Sequence, residues 1–402
     1  MKAQLISVIL GVLFIISPLA IQAKTQKKTI SAELYKTLQS SEKLIANKSY
    51  RQASAQLQTA LAKVDKGSYE QAMILRNLAS ISALQENYSK AAQYLSKAVA
   101  SKALSAEQQQ QSLLNLGQLY MAAEQYAKAV KAFEPWLARH KADAQTSILL
   151  ANAYTQLKRY KKALPHVKRA IKLSKKPPEA WYQMQLALYY QLHDYRGAAT
   201  LLKRQLARAP DNKDYWKQLS SVYHQLKDYK KAATVQHLAY KKGLIRSEKA
   251  LLELANLFLY VNSPHQAARL LETEMKRGRI KSNSKHWESA ANAWTIAREF
   301  DKAEQGLQTA SKMNSKGSLY QQLGQIYVEK EQWQKAVSAL TKAINKGGLK
   351  NTGNAYLLLG MSHHELKHHK SANKAFSQAI KYKRTQKSAQ QWLNYIAKDK
   401  IS

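Results

Sequence analysis

Tyr320-Gln-Gln-Leu323-Gly324-Gln-Ile-Tyr327, followed by Trp333, Ala336, Leu340 and Ala343, returns 36 residues later. The second copy reads Tyr356-Leu-Leu-Leu359-Gly360-Met-Ser-His363, followed by His369, Ala372, Phe376 and Ala379. A fixed period of this size marks an array of stacked structural units. Apolar residues recur at helical spacing on both sides of a short polar break, which predicts two helices per unit. The large residues fill the seam between the helices. Gly or Ala at the eighth and twentieth positions lets the two backbones approach closely.

Working outward, the same register extends upstream. A degenerate first copy has Tyr50, Ala53, Leu57 and Ala60. Then come Leu78, Ala79, Tyr88 and Ala91; Leu116, Gly117, Tyr120, Tyr126 and Ala129; and Leu150, Ala151, Tyr154, Tyr160 and Ala163. Tyr182, Tyr189, Tyr195 and Ala198 mark a fifth copy, in which Gln185 and Leu186 replace the usual Leu-Gly, so looser packing is expected there. Leu219, Ser220, Tyr223 and Ala232, then Leu254, Ala255, Phe258 and Ala267, then Trp287, Ala291, Trp294 and Ala303 complete the series. Starts fall near residues 34, 72, 110, 144, 179, 213, 248, 284, 317 and 353, which assigns 34–383 to ten repeats and leaves no room for another domain. Pro177-Pro178, Pro210 and Gly347-Gly348 fall between repeats, where helices must stop. Residues 384–402 carry Ala389, Trp392, Leu393 and Ile396 at helical spacing, which predicts a capping helix over the last apolar face, with a short tail.

The spacing W-x2-L-G-x2-Y, then a small, a large and a small residue, resembles the tetratricopeptide (TPR) repeat. The resemblance implies an all-α, right-handed superhelical solenoid of about ten helix pairs plus the cap. It also implies that first helices line a concave groove. By that analogy Arg76, Asn77, Asn115, Gln118, Asn152, Gln156, Tyr190, Gln191, Lys217, Asn256, Tyr260, Asn292, Gln321, Gln325 and Leu357 face it. The strongest candidates for partner binding are Asn115, Gln118, Asn152, Gln156, Tyr190, Asn256, Tyr260, Asn292 and Gln325. Amides offer paired donors and acceptors to an extended peptide backbone, although solvated surface is the plainer alternative. The carboxylate clamp of some relatives is incomplete. Arg76 and Asn115 suggest it, but Ser80 stands where the first Asn belongs, and Gln145 and Leu149 replace the basic pair.

Few Gly and Pro, at 13 and 7 in 402 residues, suit helices. There is no Cys, so neither disulfides nor thiolate metal sites are expected. Lys2, the apolar run Leu5–Leu19 and Ile21-Gln22-Ala23 before Lys24 read as a secretory signal peptide over 1–23. An uncleaved anchor is the alternative, though the run is short for a bilayer span. Residues 24–33 then form a linker, and the protein is expected in the periplasm, where it could also associate with a membrane.

His364-Glu365-Leu366-Lys367-His368 matches H-E-x-x-H, which would suit a zinc peptidase if both His faced one side of a continuous helix. The segment falls where the first helix of the tenth repeat should end, and no Glu follows Glu365 to act as a third ligand. It is also simply His-rich, with His363 expected to replace a core Tyr. No Walker loop, Rossmann glycine pattern or nucleophile elbow occurs. No catalytic, metal-binding or cofactor-binding residue is therefore assigned.

The formal charge of +38 favours anionic partners. Lys161, Lys162, Lys168 and Arg169 fall on the second helix of the fourth repeat, Lys203 and Arg204 on that of the fifth, and Lys230 and Lys231 on that of the sixth. They are candidates to meet an anionic surface. Export makes nucleic acid an improbable partner despite the charge.

Four stretches resemble a narrower family: residues 347–360 (Gly-Gly-Leu-Lys-Asn-Thr-Gly-Asn-Ala-Tyr-Leu-Leu-Leu-Gly), 387–396 (Lys-Ser-Ala-Gln-Gln-Trp-Leu-Asn-Tyr-Ile), 215–219 (Tyr-Trp-Lys-Gln-Leu) and 297–303 (Ala-Arg-Glu-Phe-Asp-Lys-Ala). That family is the exported TPR proteins that accompany TonB-type energy-transduction systems of Gram-negative bacteria. The resemblance implies a non-enzymatic periplasmic adaptor binding periplasmic or membrane-anchored proteins, such as a TonB-type complex. Support of cell-wall or outer-membrane assembly is the alternative in the same class, and the zinc peptidase is the alternative in another.

Overall fold

The computed structural model describes residues 29–139 and 143–399. The segment read as a signal peptide lies outside the described residues, as does the start of the linker. Among the described residues there are 21 helices and no strand. None of these helices is long and apolar enough to cross a membrane. The chain divides into two units, residues 1–197 and 198–402.

In the first unit the helices are α1 (Ala32–Ala46), α2 (Tyr50–Leu61), α3 (Tyr69–Leu84), α4 (Tyr88–Ala100), α5 (Ala106–Ala122), α6 (Tyr126–Arg139), α7 (Ala144–Gln156), α8 (Tyr160–Leu173) and α9 (Glu179–Gln191). Each odd helix packs on the even helix after it, through α7 with α8, and each even helix packs on the next odd one. First helices of successive pairs also touch, α1 with α3 and α5 with α7. The first helices therefore form an inner layer and the second helices an outer one. The division between the units falls within α10 (Tyr195–Arg208).

The second unit continues with α11 (Lys213–Gln225), α12 (Tyr229–Lys241), α13 (Glu248–Tyr260), α14 (Pro264–Lys276), α15 (Ser284–Ile296), α16 (Phe300–Met313), α17 (Gly317–Glu329), α18 (Trp333–Lys346), α19 (Thr352–Glu365), α20 (His369–Ala379) and α21 (Gln386–Asp399). From α11 onward each helix packs on its successor, and α17 also touches α19.

Small residues make this stacking possible. The alanines three positions into each second helix are Ala53, Ala91, Ala129, Ala163, Ala198, Ala232, Ala267, Ala303, Ala336 and Ala372, and every one is 0% exposed. A larger side chain at any of them would have to displace backbone. The glycine of the first helix meets the large residue of the second. A Cβ on Gly117 would fall 2.4 Å from Phe133 Cε1, and one on Gly360 would fall 2.6 Å from Phe376 Cδ1. The fifth repeat solves the same problem in reverse. Gln185 and Leu186 are both buried there, and the glycine moves to Gly197, where a Cβ would fall 2.4 Å from Tyr189 Cε1.

The turn inside each pair has one recurring form. The helix ends, one residue takes a left-handed conformation, and the second helix starts within two residues. The left-handed residues are Lys48, Glu86, Glu124, Lys158, His193, Lys227, Asn262, Arg298, Glu331 and Lys367, with φ between 54° and 59°. None is Gly, although this region costs an L-residue about 1–2 kcal/mol. The hydrogen bonds explain the choice of conformation. Lys227 N donates to His224 O at 2.9 Å and Asp228 N to Tyr223 O at 2.9 Å. This is a Schellman closure, which satisfies carbonyls that the helix end leaves open. The Asp228 side chain then caps the next helix by accepting from Lys231 N.

Beyond α20 the cap forms. Trp392 stacks on Phe376 with ring centroids 5.5 Å apart and planes 6° apart. Ala389 and Ile396 are buried against the same cluster, and Thr385 Oγ1 donates to Ala379 O at 2.7 Å.

Candidate protein-binding surface

The residues expected to line the inner layer differ in how open they are. In the first unit Gln118 is buried, at 7% exposure. Asn115 and Asn152 are half-buried, and Asn115 Oδ1 accepts from Gln111 Nε2 at 2.9 Å. Gln156 is exposed, and half-buried Tyr190 lies edge-on to Tyr195 at 5.8 Å. Arg76 and Asn77 turn back on their own helix. Asn77 Nδ2 donates to Met73 O at 3.0 Å, and burial holds the Arg76 guanidinium below its usual pKa.

In the second unit Gln321 is half-buried and donates to Asn351 O at 3.0 Å, and Leu357 is half-buried, but the strongest candidates are open. Asn256 on α13, Asn292 on α15 and Gln325 on α17 are all exposed. They occupy the ninth position of three successive repeats, so the first helices present one amide per repeat in a row. Beside this row Tyr260 is 67% exposed and Ile296 is 60% exposed, both at the thirteenth position. Tyr260 lies edge-on to Tyr229 at 4.6 Å, and Tyr229 lies edge-on to His224 at 5.4 Å. The result is a strip of aromatic, apolar and amide groups without buried charge. Aromatic anchors supply contact area at little entropic cost, and amides can pair with a peptide backbone.

The histidine segment has a different geometry from the one its sequence match requires. Helix α19 ends at Glu365, Leu366 caps it, and Lys367 takes φ 58°. His368 therefore lies beyond the helix that carries His364, and the pair is not one turn apart on a continuous helix. Each ring packs instead. His364 lies 5.2 Å from Trp392 and 5.7 Å from Tyr395, and His363 lies 5.8 Å from His368. Among the described residues no group of three His, Asp or Glu is placed to hold a metal ion.

All the basic candidates are exposed: Lys161, Lys162, Lys168, Arg169, Lys203, Arg204, Lys230 and Lys231. Four of them also rest on rings. Lys162 Nζ lies 5.8 Å from the centroid of Tyr154, Lys168 Nζ 5.3 Å from Tyr189, Lys203 Nζ 5.9 Å from Tyr223 and Lys231 Nζ 5.8 Å from Tyr223. Lys231 is tied further, to Asp228 at 2.6 Å.

Two of these contacts, those of Lys162 with Tyr154 and Lys231 with Tyr223, belong to a repeated device that the sequence reading missed. Lys128 covers Tyr120, Lys162 covers Tyr154, Lys231 covers Tyr223, Lys302 covers Trp294 and Lys335 covers Tyr327. The lysine always stands eight residues after the ring, from the first turn of the second helix. The constant spacing was visible in the sequence. Each pair closes the rim of its own repeat by cation–π attraction, worth about 0.5–1 kcal/mol where exposed. Acceptors reinforce the same rings. Tyr154 donates to Glu134 Oε1 at 2.6 Å, and burial followed by that bond pushes its hydroxyl up to about 12.

Comparison with known families agrees with the geometry. The family described as "Tetratricopeptide repeat" matches residues 43–106, 114–179 and 185–243 in one form, and 317–345 and 353–386 in another. Together these matches cover well over half the chain, which belongs to the tetratricopeptide-repeat family. Among solved structures, a TPR protein from Parabacteroides merdae is similar at 12% identity and TM-score 0.37, covering 71% of this chain and 94% of its own. MamA is similar at 20% identity and TM-score 0.35, covering 40% of this chain and 93% of its own. The Cut9–Hcn1 hetero-tetramer structure is similar at 12% identity and TM-score 0.32, covering 92% of this chain and 91% of that one. These likenesses concern the repeat fold alone. No curated protein matches the chain. The repeats make it a protein–protein interaction scaffold.

Proposed function

We propose that this scaffold is a non-enzymatic periplasmic adaptor whose partner is a component of a TonB-type outer-membrane uptake system. One structural observation carries the binding role: Asn256, Asn292 and Gln325 are exposed at the same register position of three successive repeats, with Tyr260 and Ile296 open beside them. A row of this kind suits an extended segment of a partner, read one repeat at a time. The basic, apolar and small-residue sequence before Lys24 supports export. The resemblance of residues 347–360 and 387–396 to TonB-associated TPR proteins supports the choice of system.

The test is site-specific photocrosslinking from position 260 or 292 in intact Gram-negative cells, with a position on the outer layer, Lys312, as control. Adducts with energy-transduction components, absent from the control, are expected. Adducts confined to cytosolic proteins would overturn the localisation. Adducts with cell-wall or outer-membrane assembly factors alone would overturn the choice of system.

A further inference from the structure

Nine of the nineteen residues from Lys158 to Lys176 are Lys or Arg, and none is acidic. They span α8 and the turns at its two ends. At 100° per residue, Lys161, Lys168, Arg169 and Lys172 share one side of the helix, and Lys175 and Lys176 follow in the turn beyond its end. Ala163, Val167 and Ala170, on the opposite side, are buried. The nine basic residues are all exposed, and none forms an ion pair among the described residues. This sets α8 apart from α12, where Lys231 is bonded to Asp228, and from the turn after it, where Lys242 is bonded to Asp211 at 3.1 Å. Like charges this close repel one another, so their concentration without counter-charge costs stability unless something anionic meets them.

Three features decide what that is. Seven of the nine are Lys and two are Arg. Lys is a compact, hydrated point charge and is depleted at protein–protein interfaces, whereas Arg is enriched there. The stripe also runs along the outward side of an outer-layer helix. A ridge of exposed side chains of this kind suits a flat, diffusely charged surface. Finally, exposed Pro165 lies within the stripe and Leu173, 44% exposed, at its edge, which places apolar groups at the level of the charges. Clusters of four to eight basic residues on such a helix suit anionic lipid headgroups.

We propose that the outer side of α8, from Lys158 to Lys176, is a docking stripe for the phosphate headgroups of an anionic bilayer. It would hold the scaffold against a membrane and leave the inner layer free for protein. This goes beyond the adaptor reading and does not depend on it, because a lipid surface is read by charge alone.

The test uses the full chain. Co-sedimentation compares phosphatidylcholine vesicles with the same vesicles doped with phosphatidylglycerol, and the readout is the ratio of the two partition coefficients. That ratio cancels any apolar contribution common to both vesicle types. Among the described residues Lys161, Arg169, Lys172 and Lys176 form no hydrogen bond, ion pair or ring contact, so Lys161→Gln, Arg169→Gln, Lys172→Gln and Lys176→Gln together remove charge without breaking one. The control removes the same charge from Lys312, Lys346, Lys350 and Lys370. Near an anionic membrane each basic residue contributes about a five-fold gain, so the stripe variant should lose roughly 100-fold or more of the preference. The control should keep most of it, and the wild-type preference should weaken as salt rises. An equal loss in both variants would reduce the stripe to bulk charge and overturn the proposal, as would an unchanged ratio in the stripe variant. Binding of soluble polyglutamate through these four residues, with no preference for anionic vesicles, would overturn it in favour of an acidic polypeptide. Circular dichroism confirms that each variant is folded.

Discussion

Gly324 and Leu340 touch so closely that a Cβ on the glycine would fall 2.5 Å from Leu340 Cγ. The contact fixes the distance between α17 and α18, and both residues are buried. Gly324→Leu should therefore destabilise by roughly 1–3 kcal/mol or more through overpacking. Leu340→Ala removes the opposing side chain, so the double variant should recover part of the loss. Urea denaturation of the two single variants and the double would show this coupling. Strictly additive losses would mean that the two residues do not share one space.

The left-handed turn residues predict an unusual tolerance. Lys227 is exposed and holds φ 57° without being Gly. Lys227→Gly should be neutral or stabilising by up to about 1 kcal/mol, because relief of strain offsets the entropy glycine adds to the unfolded chain. Lys227→Val should destabilise by about 1 kcal/mol or more, since a β-branched residue resists positive φ. Thermal melts of both variants would separate them. Equal melting temperatures would show that the turn does not hold this conformation in solution.

The cap should act locally. Trp392 covers Phe376 and touches His364. Trp392→Ala should cost about 2 kcal/mol or more. In an array where each repeat leans on its neighbours, that loss should open the last repeat first. Hydrogen exchange should accelerate over residues 352–379 and remain nearly unchanged over α11 to α13. Uniform acceleration would show that the second unit unfolds as one block.

The repeat register was legible because its carriers are paired extremes of size. Gly324 with Leu340, Gly117 with Phe133 and Gly360 with Phe376 stand at fixed spacing, and nothing but close helix packing explains them. The all-helical TPR fold follows from those pairs. The openness of the inner layer was not legible. Gln118 and Gln325 share a register position, yet the first is buried and the second exposed. Exposure depends on side chains from neighbouring repeats, and one repeat's register does not carry that information. The lysine–ring pairs were present as a spacing of eight, but a lysine on an outer helix reads as solvated charge until its ring is located. The fifth repeat was read as loosely packed. Tyr189 instead fills the space that Gly197 leaves, a compensation that lies in the other helix of the pair.

His363 stands where the ninth repeat has Tyr327, and it makes stability depend on pH. The ring is half-buried, its Nδ1 has no hydrogen-bond partner, and the His368 ring lies 5.8 Å away. Burial first, then the charge on His368, lowers its pKa from the ordinary value of 6.5. In the window between the lowered folded value and 6.5 the unfolded chain binds more protons at this site than the folded one. Stability therefore rises with pH across that window. It is fully present above about pH 6.5, falls as the pH drops below that, and levels off once the folded-state value is passed. His363→Tyr restores the residue type of the ninth repeat and removes the titration. Its melting temperature should change less than that of the wild type between about pH 7.5 and pH 5.5. Some dependence should persist, because burial also lowers the pKa of His166 and His237. An identical pH profile in the two proteins would show that His363 titrates no differently in the folded and unfolded chains.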